Sequence, residues 1–410
     1  MSIIVQKFGG SSVANPERMR RVAKRVGETA AAGNKVVVIV SAMGDTTDDL
    51  IALAKELSEN PPRREMDMLL STGEQQSIAL LTMTLIDMGY KAISLTGAQA
   101  GYATDGVFAK AKITSIDCSR VEKELDDGNV VVVAGFQGID HIGDINTLGR
   151  GGSDTSAVAM AVALNADVCE IFTDVDGVYT ADPRVVKKAQ KMQEISYDEM
   201  LEMAAMGALV LQPRSVEVAK QYNVKVHVRS SFNYSEGTMV QEVAQMNRDL
   251  EKDQVVSGVA HDTNVLKVSI FGVPNKPGVA STIFTALANE KVNVDMIIQS
   301  GRREEDKQDI SFTTVRDDKY KVDKTVEKLV AELGADGYEL DDTVAKISII
   351  GAGMITNPGV AAKMFKVLAE NSFNIDLIST SEIKVSCIIG QEKIKEAAIV
   401  LHTAFDLDGE

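Results

Sequence analysis

Four stretches carry residue types able to do chemistry. The first is KFGGSS (7–12), where Lys7 closes a β-branched run and precedes two glycines and two serines. Glycines let backbone N–H groups approach an anion, hydroxyls add donors, and a lysine supplies a point charge. Lys7, Phe8, Gly9, Gly10 and Ser11 therefore suit a phosphate cradle, although a tight strand-to-helix turn needs the same glycines. A Walker loop is excluded, because Lys7 precedes the glycines. The second is TLGRGGSDTSAVAMAVAL (147–164), a three-glycine loop running into a helix of small apolar residues. Ser153 or Asp154 would cap that helix, and Gly151 and Gly152 would bare its N-terminal N–H groups to an anion. Arg150 could hold a carboxylate through two parallel hydrogen bonds. Its donors are denser than packing alone requires.

The third stretch is TDVDGVYTADPR (173–184). A calcium loop of the EF-hand type fails, since Gly177 falls too early and the twelfth position is not Glu. A nucleotide-and-Mg²⁺ loop fits better, with Asp174 and Asp182 as carboxylates and Arg184 near phosphates; a solvated acidic turn is the plain alternative. The fourth is STGEQQS (71–77), where Glu74 sits beside Gly73 in an apolar segment. Such a carboxylate could meet an ammonium group, because an unpaired buried charge is costly; an exposed helical glutamate is the common alternative.

The elements that must position these residues alternate to about residue 230. Apolar runs at 3–5, 35–41, 91–96, 129–136, 167–173 and 224–231 predict strands buried on both faces of a mostly parallel sheet. Between them lie helical segments. In NPERMRRVAKRVGETAAAG, Asn15 caps, Pro16 takes the first helical position, Glu17 complements the dipole and Gly33 stops the helix. Ser196 and Glu199 form a capping-box pattern. The alternation predicts a three-layer α/β domain over 1–231.

Residues 232–254 turn polar and predict a linker. Beyond it the chain repeats: VLKVSIFGVPNKPGVASTIFTALANEKVNVDMIIQS aligns with VAKISIIGAGMITNPGVAAKMFKVLAENSFNIDLIST. Each copy adds a further strand and helix, predicting two tandem βαββαβ modules, 255–341 and 342–410. KISIIGAGMITNPG (346–359) imitates a dinucleotide fingerprint, but its third glycine position is Thr356 and the first copy has one glycine there. Gly351 and Gly353 are read as turn residues.

Bulk properties narrow the function. The 410 residues suit two or three domains, and the net charge of −16 argues against nucleic acid and anionic lipid as partners. No apolar run reaches membrane-spanning length, and the N-terminus lacks a secretory pattern. Cys118, Cys169 and Cys387 read as reduced thiols of a cytoplasmic protein, and none of the four histidines has metal-ligand spacing.

KFGGSS, SAMGDTTD (41–48), REMDMLLSTGE (64–74), AGFQG (134–138), TLGRGGSDT, TDVDGVYTADPR and the paired modules ending STSEIKVS (379–386) together resemble the aspartokinase family. The resemblance spans essentially the whole chain and points to the short, lysine-biosynthetic type. It implies an amino-acid-kinase αβα sandwich followed by two ferredoxin-like ACT domains, with the strand near 255–260 joining the second. It implies transfer of a phosphoryl group from ATP, with Mg²⁺ held mainly by the nucleotide, to L-aspartate. Carried over by motif, Lys7 stabilises transferring charge and Asp154 organises it. Thr47, Glu74, Arg150, Gly151, Gly152 and Ser153 hold aspartate. Ser41, Thr173, Asp174, Tyr179, Asp182 and Arg184 join the cradle around ATP. Where many relatives carry His-Gly-Asn, this chain reads VFAKAKI (107–113). The ACT pair would bind lysine and/or threonine, lined by Lys276, Pro277, Gly278, Asn293, Val294, Asp295 and Gln299 from one module and Asn374, Ile375, Ser381 and Glu382 from the other. The resemblance also implies a homo-oligomer through ACT strand edges. Met239 or Met246 is a candidate start for a shorter regulatory subunit, or a plain linker methionine.

Two other classes fit the sequence less well. A non-catalytic amino-acid sensor would tolerate loss of Lys7, Glu74, Arg150 and Asp154, all of which are intact. An NAD-linked oxidoreductase rests only on Gly351 and Gly353.

Overall fold

The computed structural model describes residues 1–205, 210–242, 255–300, 306–355 and 357–409. The chain divides into two units, 1–179 with 191–249, and 180–190 with 250–410.

In the first unit, β1 (Ile3–Phe8), α1 (Pro16–Ala31), β2 (Lys35–Val40), α2 (Thr46–Leu57), α3 (Arg63–Asp87) and β3 (Ala92–Leu95) come first. Next are β4 (Tyr102–Thr104), β5 (Ile113–Ile116), α4 (Ser119–Asp126), β6 (Val130–Ala134), β7 (Gln137–Ile139), β8 (Ile145–Thr147), α5 (Gly152–Ala163) and β9 (Val168–Thr173). The unit closes with β10 (Glu194–Ser196), α6 (Tyr197–Ala205), α7 (Pro213–Tyr222), β11 (Val226–Ser230) and β12 (Thr238–Gln241). The main sheet runs β10-β12-β11-β9-β1-β2-β6-β3, and only the β11–β12 pair is antiparallel. The apolar runs β1, β2, β6 and β9 form its centre, with Val5, Val37, Val38, Ile39 and Val131 fully buried, as strands covered on both faces require. α1 starts as its sequence predicts: Asn15 accepts from the Arg18 N–H, and Pro16 follows it. The Ser196–Glu199 capping box also forms, with reciprocal bonds of 3.2–3.3 Å.

The order matters for function. After β1 the chain builds β2 on one side and later β9 on the other, so the carboxyl ends of β1, β2 and β9 border a crossover point, where open α/β sheets bind ligands. Lys7, Ser41 and Thr173 lie at those ends. A second sheet, β5-β4-β7-β8, was not expected; its strands are only three or four residues long, too short for a periodic signal.

The polar stretch from 232 is not a linker throughout. β12 pairs with β11 and β10, and Met239 lies opposite His227 in that sheet. Met246 falls outside the described residues.

The second unit contains both repeats. The first comprises β14 (Val265–Pro274), α8 (Val279–Asn289), β15 (Ile297–Gln299), β16 (Lys307–Val315), α9 (Lys319–Leu333) and β17 (Gly337–Asp341), in sheet order β15-β16-β14-β17. The second comprises β18 (Val344–Ile350), α10 (Val360–Glu370), β19 (Leu377–Thr380), β20 (Lys384–Gly390) and α11 (Ile394–Ala404). Among the described residues it has no strand equivalent to β17. That edge is filled by β13 (Gly258–Asp262), antiparallel to β18, so a segment preceding the first repeat completes the second.

The modules exchange charges at equivalent positions. Lys267 of β14 reaches Asp376 of the second module at 3.0 Å, and Lys346 of β18 pairs with Asp295 of the first. Segment 180–190 folds with this unit too: Ala181 and Val186 enter the core formed by Val256, Val259, Ile347 and Leu407. The buried His402 side chain bridges Thr180 Oγ1 at 2.8 Å and Asp408 at 2.9 Å.

Gly351 and Gly353 serve packing. A Cβ at Gly351 would stand 2.3 Å from the Val255 carbonyl oxygen, and one at Gly353 2.9 Å from Val255 Cα. Gly351→Ala is expected to destabilise the second unit by about 1–3 kcal/mol or more, since backbone cannot step aside as a side chain can. Thermal denaturation checks this; an unchanged melting temperature would contradict the packing role.

Candidate active site

The site grows from the ends of β1 and β2. β1 delivers Lys7 to the edge of the sheet, while the Phe8 ring turns inward and stacks on Phe172 with centroids 4.6 Å apart. The Phe8 ring is fully buried, so a part for Phe8 in the cradle would fall to its backbone. The following turn is pressed against the turn after β2. Gly44 N–H donates to the Gly10 carbonyl at 3.0 Å, and a Cβ on Gly10 would lie 2.8 Å from the Ala42 carbonyl oxygen. Glycine is needed at Gly10 for this approach.

α5 enters from the far side of the sequence. Gly151 precedes it with φ +69°, and Gly152 opens it where a Cβ would strike Leu148 and Phe136. Its first turn then presents Ser153 and Asp154, both buried. Asp154 meets Lys7 Nζ at 2.6 Å, and Ser41 Oγ donates to Ser153 Oγ at 2.9 Å. Thus the cradle lysine and the glycine-loop helix, 147 positions apart in the sequence, share one site.

Glu74 completes the constellation. Gly73 lets α3 approach so closely that a Cβ there would stand 2.8 Å from Ala42 Cβ. The adjacent Glu74 is 2 % exposed; one carboxyl oxygen accepts the Ala42 N–H at 3.1 Å, and the other has no partner. Burial pushes its carboxyl up to about 7, against the pull of that N–H. A run of neighbours therefore links Glu74, Ala42, Ser41, Ser153, Asp154 and Lys7. A second acceptor oxygen left bare in a buried place is a ready seat for a cation.

The remaining residues divide. Arg150 stands two residues before α5, exposed and without an ion-pair partner among the described residues. Thr47 is half-buried at the start of α2, and Ser11 is exposed on the β1 turn. Thr173 ends β9 and donates to Asp174 at 3.0 Å. Tyr179 donates to Asp176 at 2.7 Å, and burial with that neighbour raises its hydroxyl to about 12. Asp182 and Arg184 belong to the second unit; the guanidinium holds the Asp182 carboxyl below the usual carboxylate range. Among the described residues no three acidic, histidine or cysteine side chains form a metal-holding group.

The second unit has its own recess. A cavity of about 470 Å³ is lined by Asn357, Gly359 and Val360 at the start of α10, by Thr380 at the end of β19 and by Ser381 and Glu382 after it. Lys276, Pro277 and Gly278 hold the equivalent place before α8, and Gly278 and Gly359 share left-handed φ values of +96° and +99°. Asn374 and Ile375 precede β19 outside that lining. Sequence reasoning missed Asn357 and Thr380, whose only signal was their position in the repeat. It also missed Asp67, a fully buried carboxylate on α3.

Known proteins give the same picture. Residues 2–230 match the amino acid kinase family, and 268–334 and 347–405 each match the ACT domain. An aspartokinase of Bacillus sp. (strain MGA3) is 52% identical over 409 residues, covering 100% of this chain and 98% of that protein. The crystal structure of E. coli aspartokinase III with aspartate and ADP (R-state) superposes with a TM-score of 0.80 at 26% identity, covering 98% of this chain and 99% of that one. The same enzyme with lysine and aspartate (T-state) gives 0.75 at 26% identity over the same shares.

Glu74 makes a testable demand on the ligand-free protein. Its folded value of about 7 lies above the ordinary 4.5, so its protonated form is favoured by folding. The associated stability is complete below about 4.5 and is lost as pH rises through about 7. Glu74→Gln should match the parent near pH 4 and exceed it by up to about 3 kcal/mol near pH 8. Urea denaturation of both proteins at the two pH values measures this; equal stability at pH 8 would refute it.

Proposed function

This chain belongs to the aspartokinase family, and on that premise we propose how its residues work. It transfers the terminal phosphoryl group of ATP to the side-chain carboxylate of L-aspartate, giving 4-phospho-L-aspartate and ADP, the first step toward lysine, threonine and methionine. The observation that carries the residue roles is the run of bonded and sequence-adjacent residues from the half-satisfied Glu74 carboxyl to the Lys7–Asp154 pair.

The attacking carboxylate is already ionised near neutral pH, so no general base is required. One of its oxygens forms the new bond to phosphorus as the bridging bond to ADP breaks. The difficulty is bringing one anion against another, and charge stabilisation dominates such a transfer. Lys7 neutralises charge on the moving phosphoryl group, and Asp154 fixes the lysine in place. Glu74 receives the substrate ammonium, whose charge favours the ionised form that burial opposes. Arg150 takes the α-carboxylate, with Thr47, Gly151, Gly152 and Ser153 adding hydrogen bonds. Gly9, Gly10, Ser11 and Ser41 cradle phosphates, and Thr173, Asp174 and Tyr179 hold the nucleotide, with Asp182 and Arg184 assigned to it by motif alone. Gly9 fits a phosphate cradle, because a Cβ there would stand 3.4 Å from Lys7 Nζ, while Gly10 lets the turn pack against the turn after β2. Mg²⁺, carried on the nucleotide's phosphate oxygens, would supply further neutralisation.

We propose that the ACT modules bind lysine and/or threonine. In the second module, α10's free N–H groups suit an α-carboxylate and Glu382 suits an ammonium. Lys276, Pro277, Gly278, Asn293, Val294, Asp295 and Gln299 make the counterpart in the first, with Asn374, Ile375 and Ser381 completing the second. β15 and β19 are sheet edges, suited to pairing between copies of the chain in a homo-oligomer, and Met239 or Met246 remains a candidate start for a shorter subunit. The described helices include none long and apolar enough to cross a membrane, in keeping with work in the cytoplasm.

A coupled assay for ADP should show turnover with aspartate and little with glutamate. Lys7→Ala should lower the rate by ~10²–10³; an unchanged rate would remove Lys7 from the chemistry. Ser381→Ala or Glu382→Ala should shift the lysine inhibition curve by ~5–150-fold while the uninhibited rate is kept. Superimposable curves would exclude both residues from the effector site.

A further inference from the structure

We propose that Asp67 is a positioning residue for the substrate's α-carboxylate, acting through the loop that carries Arg150. Asp67 lies on α3 and is fully buried. One carboxyl oxygen accepts the backbone N–H groups of Ala109 and Thr147, both at 2.9 Å, and the other accepts Thr147 Oγ1 at 2.7 Å. Thr147 ends β8, three residues before Arg150.

The rest of the loop base is held as tightly. Arg214 of α7 donates to the Leu148 carbonyl at 3.1 Å and the Ala111 carbonyl at 3.0 Å. Leu148 N–H donates to the Phe136 carbonyl, and Ala111 N–H to the Thr147 carbonyl, each at 2.9 Å. Gly149, at φ +78°, leaves 3.1 Å between a would-be Cβ and the Ala109 carbonyl oxygen. Ala109 itself is left-handed at φ +68°, a conformation that costs a residue with a Cβ and needs external support. Asp67 supplies that support. The VFAKAKI segment is thus a buttress for the loop, whatever triplet relatives carry there.

The helix adds meaning. Asp67 and Glu74 are both buried on α3, seven residues and about 10 Å apart along its axis. One rigid element therefore references two acceptors: Glu74 directly for the ammonium, and Arg150 through Asp67 and Thr147 for the α-carboxylate. The spacing between the two ends of the amino-acid moiety is set by α3.

This inference rests on the reading that Arg150 binds the α-carboxylate, and the test separates the two. Steady-state kinetics of the full chain would compare Asp67→Ala, Asp67→Asn, Thr147→Val and Arg150→Ala. Asp67→Ala should raise KM for aspartate about tenfold or more while KM for ATP stays within about twofold, as a displaced clamp does. Asp67→Asn keeps an oxygen for the two N–H groups and should fall between it and the parent. Thr147→Val should give a smaller rise of the same kind. If Arg150→Ala leaves KM for aspartate unchanged, the underlying reading fails. If Arg150→Ala raises it but the Asp67 and Thr147 variants do not, or they raise both KM values alike, the positioning role is overturned. Should Asp67→Ala not fold, Asp67→Asn and Thr147→Val decide by the same criterion.

Discussion

The ion pair between Lys7 and Asp154 is the contact on which the site depends. Its side chains are only 12% and 10% exposed, so both charges have given up most of their water. In that setting the pair matters less for stability than for placement: well-packed apolar residues could often stabilise a fold as much, whereas either charge alone would be strongly unfavourable. In the proposed transfer the lysine is consequently held at the end of β1 before a phosphate arrives. A flexible ammonium would have to be ordered at the moment of reaction; one already fixed loses nothing there.

That contact is possible only because backbones approach where side chains would prevent it. β1's turn meets β2's turn at Gly10, α3 meets Ala42 at Gly73, and α5 meets the turn after β6 at Gly135, where a Cβ would lie 3.0 Å from Ser153 Oγ. Each glycine removes one obstacle between a helix or turn and the carboxyl edge of the sheet. Together they bring a strand-end lysine, a helix-borne glutamate and a helix N-terminus within one network, with the sheet's parallel order supplying a common edge.

Much of this was legible from the residues. The alternation of β-branched runs and capped helices, the duplicated C-terminal pattern, and the four chemistry-bearing stretches all state local preferences that the fold keeps. What was not legible depended on tertiary surroundings. Phe8 lies in the motif but faces the core, because strand alternation sends it opposite to Lys7. Asp67 is set apart only by three donors that reach it from segments distant in the sequence. The polar residues around β12 carried no strand signal, since that short strand depends on β10 and β11 for its partners. The repeat by itself predicts two equal modules; that the strand completing the second comes from before the first was implied only by the family resemblance, and β13 beside β18 has that placement.

Duplication also does not make the two modules equivalent. Lys267 and Lys346 occupy the same repeat position and each reaches an acid of the other module, Asp376 and Asp295. The Lys346 side chain is 6% exposed against 18% for Lys267, so the first of these cations depends far more on its carboxylate partner. Asp295 follows Asn293 and Val294, and Asp376 follows Asn374 and Ile375, the segments proposed to line the two effector half-sites. Each half-site thus abuts an acid held by a lysine rooted in the opposite sheet. Moving either segment would disturb a charge in the other module, and the cost would be greater on the Lys346 side, where water cannot replace the lost partner. Unequal coupling between sites of common ancestry follows from burial, and from the second acid, Asp341, that stands 3.9 Å from Lys267 Nζ.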